Sequence, residues 1–167
     1  MDPLPLVERF PGLRDLPRRP LATLPTPVVE AGAAAGEVGG RDLWIKRDDL
    51  THPVYGGNKV RKLEWILADA QRTARDTILT VGGIGTNHGL ATAIHGAAAG
   101  FRVHLVLFEQ PNSEHVRRSL RLYHRYGARL TFGGGTLGTA LHVTLRKALS
   151  AARLSGERLY VAGPGGS

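Results

Sequence analysis

Thr77-Ile78-Leu79-Thr80-Val81-Gly82-Gly83-Ile84-Gly85-Thr86-Asn87-His88-Gly89 decides the fold. Residues 77–81 form a short apolar and β-branched run closed by two glycines, the pattern of a buried strand. A helix follows from about Asn87 to Ala99 and stops at Gly100. Strand, glycine turn and helix in that order open a βαβ unit, and the pattern repeats downstream. Val103–Phe108 reads as a second buried strand and Ser113–Tyr126 as a helix ending at Gly127. Arg129–Phe132 is a strand, Leu137–Leu154 a helix and Leu159–Ala162 a last strand. Upstream, Val60, Leu63, Ile66, Leu67 and Ala70 recur at steps of three and four, which predicts an amphipathic helix. Alternating strands and helices of this length require right-handed crossovers and parallel pairing. The fold class is therefore α/β, a three-layer open parallel sheet.

The region before this unit is different. Residues 1–27 are proline-rich and end in Leu24-Pro25-Thr26-Pro27, which reads as an extended arm. Residues 31–40, rich in alanine and glycine, predict a short helix and a turn. Leu43-Trp44-Ile45-Lys46-Arg47 predicts a strand, followed by a turn at Asp48-Asp49.

A chain of 167 residues is long enough for one domain with a core and too short for two ordinary ones. Hydrophobic content of 42% and charged content of 22% describe an ordinary soluble protein. With no cysteine there is no disulfide, zinc-thiolate site or cysteine nucleophile. The start of the chain lacks the pattern of a signal peptide, and no apolar run is long enough to span a bilayer. The expected location is cytoplasmic, with no membrane partner. A net charge of +8 raises the question of nucleic acid. Arg117, Arg118, Arg121 and Arg125 would form one basic helix face. No nucleic-acid module accompanies them and aromatic content is only 6%, so a solvated face is the better reading.

Two glycine turns carry the chemistry. In Tyr55-Gly56-Gly57-Asn58-Lys59-Val60-Arg61-Lys62-Leu63-Glu64, one lysine sits between a glycine turn and the first turn of a helix. The glycines allow close approach to the backbone. The helix N-terminus, Arg61 and Lys62 add positive charge, a setting that favours a free amine able to attack a carbonyl. From these residues alone, Lys59 is either such an amine or part of a solvated basic helix start. The second turn, residues 82–89, lies where a parallel strand ends, the usual ligand position in open sheets. Thr86 and Asn87 can cap the following helix. The same residues can also cradle a carboxylate or phosphate, with the Thr86 hydroxyl as a proton relay or contact. Gly83-Ile84-Gly85-Thr86-Asn87-His88 fails the dinucleotide fingerprint because histidine takes the last glycine position. His88 and His95 have no neighbouring carboxylates at metal-ligand spacing, so no metal is expected.

Taken together, Leu24–Pro27, Trp44-Ile45-Lys46-Arg47-Asp48-Asp49-Leu50, Gly56–Glu64 and Gly82–His88 stand in an order and spacing that resemble one family. It is the 1-aminocyclopropane-1-carboxylate deaminase and D-cysteine desulfhydrase family, pyridoxal-phosphate enzymes of the tryptophan synthase β fold. The resemblance covers nearly the whole chain. It implies pyridoxal 5'-phosphate as cofactor, with Lys59 joined to it covalently and shuttling the proton at the substrate α carbon. By the same resemblance Lys62 reaches the cofactor phosphate and Asn87 contacts its 3' oxygen. Asn58, Thr86, Asn87, His88 and Gly89 match the segments that hold a small amino acid substrate, the last four through the loop around its carboxylate. The implied reaction is deamination or desulfhydration to a 2-oxo acid and ammonia.

The sequence also departs from that family. Threonine stands at 86 where serine is usual, and its extra methyl is expected to narrow the pocket. Gly89-Leu90-Ala91 replaces the usual polar residues after the Asn-His pair. Family members are about twice this length. The expected organisation is therefore a large-domain segment over 1–53, a small α/β domain over 54–162, and a return toward the large domain over 163–167. The chain is expected to act as an N-terminal portion, within a homo-oligomer or with a complementing C-terminal half. The alternative is a non-catalytic α/β module that needs a partner chain.

Overall fold

A computed structural model describes residues 5–32, 36–37, 43–134 and 139–166. Four parallel strands form the central sheet: β3 (Thr77–Gly83), β4 (Arg102–Phe108), β5 (Arg129–Phe132) and β6 (Leu159–Ala162). Their spatial order is β5-β4-β3-β6. β3 is buried along its whole length. That is why its sequence reads as a continuous apolar and small-residue run rather than an alternating one.

Helices cover both faces, so the three layers expected from the sequence are present. They are α2 (Asn58–Arg72), α3 (Asn87–Ala98), α4 (Glu114–Arg125) and α5 (Thr139–Leu154). On one face Leu63, Leu67 and Ala70 of α2 pack with Ile78, while Leu90, Ala93 and Ile94 of α3 pack with Val103, Leu105, Leu107 and Tyr123. On the other face Leu79, Val81 and Val106 pack against Ala148 of α5. The alternation of Ile78 with Leu79, and of Leu105 with Val106, is the strand period placing successive side chains on opposite layers. α3 and α4 are followed by Gly100 and Gly127, both at positive φ, as their sequences predict.

The N-terminal region differs from its expected form. Residues 5–9 are a short helix, α1, and residues 11–13 a 3-10 turn, within the segment read as an extended arm. Pro5 and Pro11 stand at the first positions of these turns, where proline's missing N–H costs nothing. β1 (Val28–Glu30), not anticipated from the sequence, pairs antiparallel with β2 (Trp44–Lys46). The two form a ribbon separate from the main sheet, and all six residues are exposed. The predicted helix over 31–40 lies largely outside the described residues, as do residue 135 of the glycine run and the first two positions of the helix expected from Leu137.

The arm is tied to α2. Glu64 is only 2% exposed and accepts from the backbone N–H groups of Leu21 and Ala22, both at 2.8 Å, and from Arg18 Nε at 2.9 Å. The Arg19 amide donates to the Glu64 carbonyl, and the Thr23 amide to that of Thr51. Leu21 adds its side chain to the Leu63–Leu67 core.

Candidate active site at the carboxyl ends of β3 and β6

Strand order places the site. From β3 the chain crosses to β4 and then β5, whereas β6 returns to the opposite side of β3. Such a reversal opens a crevice at the strand carboxyl ends, where open α/β sheets bind ligands. Pairing of β3 with β6 ends at Thr80 and Ala162, yet β3 continues to Gly83. The turn at Pro164–Gly166 and the N-termini of α2 and α3 border this opening.

Lys59 and Lys62 meet there. Their Nζ atoms donate to one acceptor, the Gly165 carbonyl, at 3.3 and 3.2 Å. One helical turn separates them, so both amines leave the same face of α2. Arg61 does not join them. Its guanidinium pairs with Asp48 at 2.7 Å, so its charge is matched within the protein and does not serve the lysine pair as expected. Asp48, held below its usual pKa by the hydrogen bond from Arg61, also accepts from the Thr26 hydroxyl.

The glycine turn before Lys59 works from within. A Cβ on Gly56 would collide with the Asp49 carbonyl oxygen, so at Gly56 the close approach is made by this chain's own backbone, while a Cβ on Gly57 would meet nothing within 4 Å. Gly57 caps α2 at φ 110°, a conformation that strongly favours glycine. Its N–H donates to the Asp48 carbonyl and to Thr51 Oγ1, and Thr51 is fully buried. The Trp44–Leu50 motif thus holds the turn that sets the direction of Lys59. Asn58 is the first residue of the helix and is exposed.

The second turn is equally constrained. Thr86 caps α3, its hydroxyl accepting from the Gly89 amide at 3.4 Å. Its carbonyl accepts from the Tyr123 hydroxyl at 2.9 Å; Tyr123 is fully buried, which raises its pKa. Cβ atoms on Gly82 and Gly89 would fall 2.5 and 2.6 Å from the Thr86 methyl. The methyl therefore fills space left by these glycines. Asn87 is exposed and accepts from the Tyr55 hydroxyl at 3.3 Å. As the first two residues of α3, Asn87 and His88 have backbone N–H groups without intrahelical acceptors.

The His88 side chain turns inward. It is 2% exposed and its Nε2 lies 3.1 Å from Thr80 Oγ1. Burial, with the charges of Lys59 and Lys62, lowers its pKa to about 4. Only its backbone can face a ligand at the helix end. His95 also faces inward and contacts the Tyr55 carbonyl at 3.0 Å. Among the described residues no group of three or more histidines and acidic residues could hold a metal. Among the described helices none is long and apolar enough to cross a membrane. Arg117, Arg118, Arg121 and Arg125 are all exposed on α4.

Sequence reasoning overlooked Glu64, Asp48, Thr51 and Tyr123 as supports. Glu64 and Asp48 lay within quoted motifs, and a buried acidic residue on an apolar helix face was a signal available for Glu64. Nothing local marks Tyr123, whose partner is 37 residues away.

A parallel α/β unit that gathers two amines and two helix N-termini at a switch point defines a domain suited to a small anionic ligand. The chain belongs to the pyridoxal-phosphate-dependent enzyme family, whose pattern matches residues 20–166. It is 38% identical over 155 residues to the nocardicin C-9' epimerase of Nocardia uniformis subsp. tsuyamanensis, covering 91% of this chain and 46% of that protein. Over 97 residues it is 45% identical to the mitochondrial bifunctional D-cysteine desulfhydrase/1-aminocyclopropane-1-carboxylate deaminase of Arabidopsis thaliana, covering 57% of this chain and 24% of that protein. A crystal structure of an ACC deaminase homologue superposes with a TM-score of 0.80 at 32% identity, covering 99% of this chain and 49% of the other. The chain thus spans half or less of the length of these relatives.

The local geometry fits the family's cofactor. Paired amines and free helix-terminal N–H groups suit its phosphate and carbonyl, and the Tyr55–Asn87 pair offers polar contacts at the same opening.

Proposed function

We propose that this chain is the lysine-bearing portion of a pyridoxal-phosphate-dependent deaminase or desulfhydrase acting on a small amino acid. The observation that carries this reading is the meeting of Lys59 and Lys62 at the Gly165 carbonyl, beside the N-terminus of α3. When bound, the cofactor draws electrons from the substrate α carbon. In this reading Lys59 would hold the cofactor and move the α proton, and Lys62 would pair with its phosphate. Asn87, steadied by Tyr55, would meet the cofactor's 3' oxygen. The N–H groups of residues 87 and 88, with Thr86 and Asn58, would hold the substrate carboxylate, while the Gly89 N–H is taken by the Thr86 hydroxyl. His88 contributes its backbone alone. The products are a 2-oxo acid and ammonia, with hydrogen sulfide if the substrate is cysteine.

In this reading residues 1–53 and 163–167 belong to a large domain, and residues 54–162 to the small one. The coverage of relatives supports a site completed either by further sequence or by a partner chain. The isolated 167-residue chain should then bind cofactor more weakly than the whole protein.

Borohydride reduction of the whole protein with pyridoxal phosphate, followed by peptide mapping, tests the assignment. A pyridoxyl group on Lys59 is expected; labelling confined to other lysines would refute it. The match to an epimerase over 91% of the chain favours a second reading, inversion at an amino acid carbon. Loss of substrate chirality without release of ammonia would select it.

A further inference from the structure

We propose that His88 is a positioning residue of the lysine site: through Thr80 it fixes the turn after β6 whose Gly165 carbonyl receives Lys59 and Lys62. The proposal rests on the reading of Lys59 as the cofactor lysine, although its physical link can be measured independently.

The link runs across the end of the sheet. Thr80 is 1% exposed and is the last β3 residue paired with β6. Its hydroxyl lies 3.5 Å from the Gly163 carbonyl, one residue past the end of that pairing. This contact continues the β3–β6 connection beyond the backbone ladder. Two residues later, Gly165 at φ 70° presents its carbonyl to both lysines. From the other side, His88 Nε2 meets the same Thr80 hydroxyl at 3.1 Å.

Proton accounting sets the direction of the chain. The Thr80 hydroxyl has one hydrogen, and the Gly163 carbonyl can only accept. If Thr80 donates to Gly163, His88 must donate its Nε2–H to Thr80. In a neutral ring that leaves a bare lone pair on Nδ1. Burial and the facing Lys59 and Lys62 amines of α2 keep the ring neutral. Nδ1 is buried without a hydrogen-bond partner. That is unfavourable, and an apolar side chain would fill the space without it.

His104 is an internal control. It is buried, its Nε2 lies 2.7 Å from Thr131 Oγ1, and its Nδ1 also lacks a partner. It links β4 to β5, away from the lysines.

The test compares His88→Leu, His88→Gln, Thr80→Val and His104→Leu in the whole protein. Hydrogen exchange of residues 162–166 and borohydride labelling of Lys59 are the readouts. His88→Leu and Thr80→Val should each speed exchange in that segment by about tenfold and reduce labelling. His88→Gln, which can keep a donor near the Nε2 position, should restore both toward wild type. His104→Leu should lower overall stability without selectively moving either readout. Unchanged exchange in both His88→Leu and Thr80→Val would overturn the proposal, as would an equal local response to His104→Leu. Should His88→Leu fail to fold, ring nitrogen NMR of the wild type decides: the proton must reside on Nε2, and a proton on Nδ1 defeats the proposal. If wild-type Lys59 is never labelled, the functional reading fails while exchange still decides the role of His88.

Discussion

The N-terminal ribbon and the parallel sheet solve the same problem in opposite ways. β1 and β2 offer three paired residues each, with every position exposed; Val28, Trp44 and Ile45 have little of the chain covering them. β3 and β4 run for seven paired residues between two helical layers, and nearly all are buried. Strands of the second kind obtain their stability from apolar burial. The first kind has no such layer, and the segments on either side of it are held by specific ties, Glu64 to residues 18–22 and Asp48 to Arg61. The site draws on both regions, because the sheet places Thr86 and the Gly165 turn while the ties hold the glycine turn before Lys59.

The largest break in this contrast should come from the core beneath the lysine helix. Leu67→Ala should cost about 2–5 kcal/mol, the usual range for a buried leucine, measured by urea unfolding. A loss below about 1 kcal/mol would mean that α2 is not seated on the sheet as described. Glu64→Ala should cost about 1–3 kcal/mol because it strands buried N–H donors. Its distinctive sign is early proteolysis within residues 18–23, leaving the sheet intact. Uniform cleavage of arm and sheet would deny that the arm is a separable strap.

Acid sharpens the comparison further. His88 binds its proton near pH 6.5 when unfolded and near 4 when folded. Between those values the unfolded chain holds more protons, so stability falls as pH falls from about 6.5 to about 4. His104 is lowered in the same direction by burial. His88→Gln should flatten part of that slope in thermal melts taken from pH 7 to 4, and an unaltered slope would contradict a buried neutral ring. The smallest effect belongs to the ribbon. Trp44 is 55% exposed, and Trp44→Ala should change the stability of this chain by no more than about 0.5 kcal/mol. A larger loss would show that the ribbon contributes to the core after all.

The parallel unit was legible because its signals are local. The helix beginning at Asn58 showed its three- and four-residue period, and Thr77–Val81 its apolar run. The ribbon was only half legible: Leu43–Arg47 read as a strand, but Val28–Glu30 is too short to show a period. Pro5 and Pro11 misled because proline disfavours helix interiors yet suits a first turn. At the site, the physical case for Lys59 from its own segment remained divided, and the resemblance carried by four motifs pointed to one family. Arg61 was read in the wrong surroundings, since its partner Asp48 lies 13 residues away in the chain.

By itself, the sequence determined the order of strands and helices from Asn58 onward, the parallel pairing and the family resemblance, because periodicity, glycine turns and motif spacing are written along the chain. Tertiary structure alone decided that β6 returns beside β3, bringing Gly165 to two lysines more than a hundred residues away. It alone turned the His88 ring inward and Arg61 toward Asp48. Those outcomes depend on which distant groups become neighbours in a packed interior, and no local pattern carries that information.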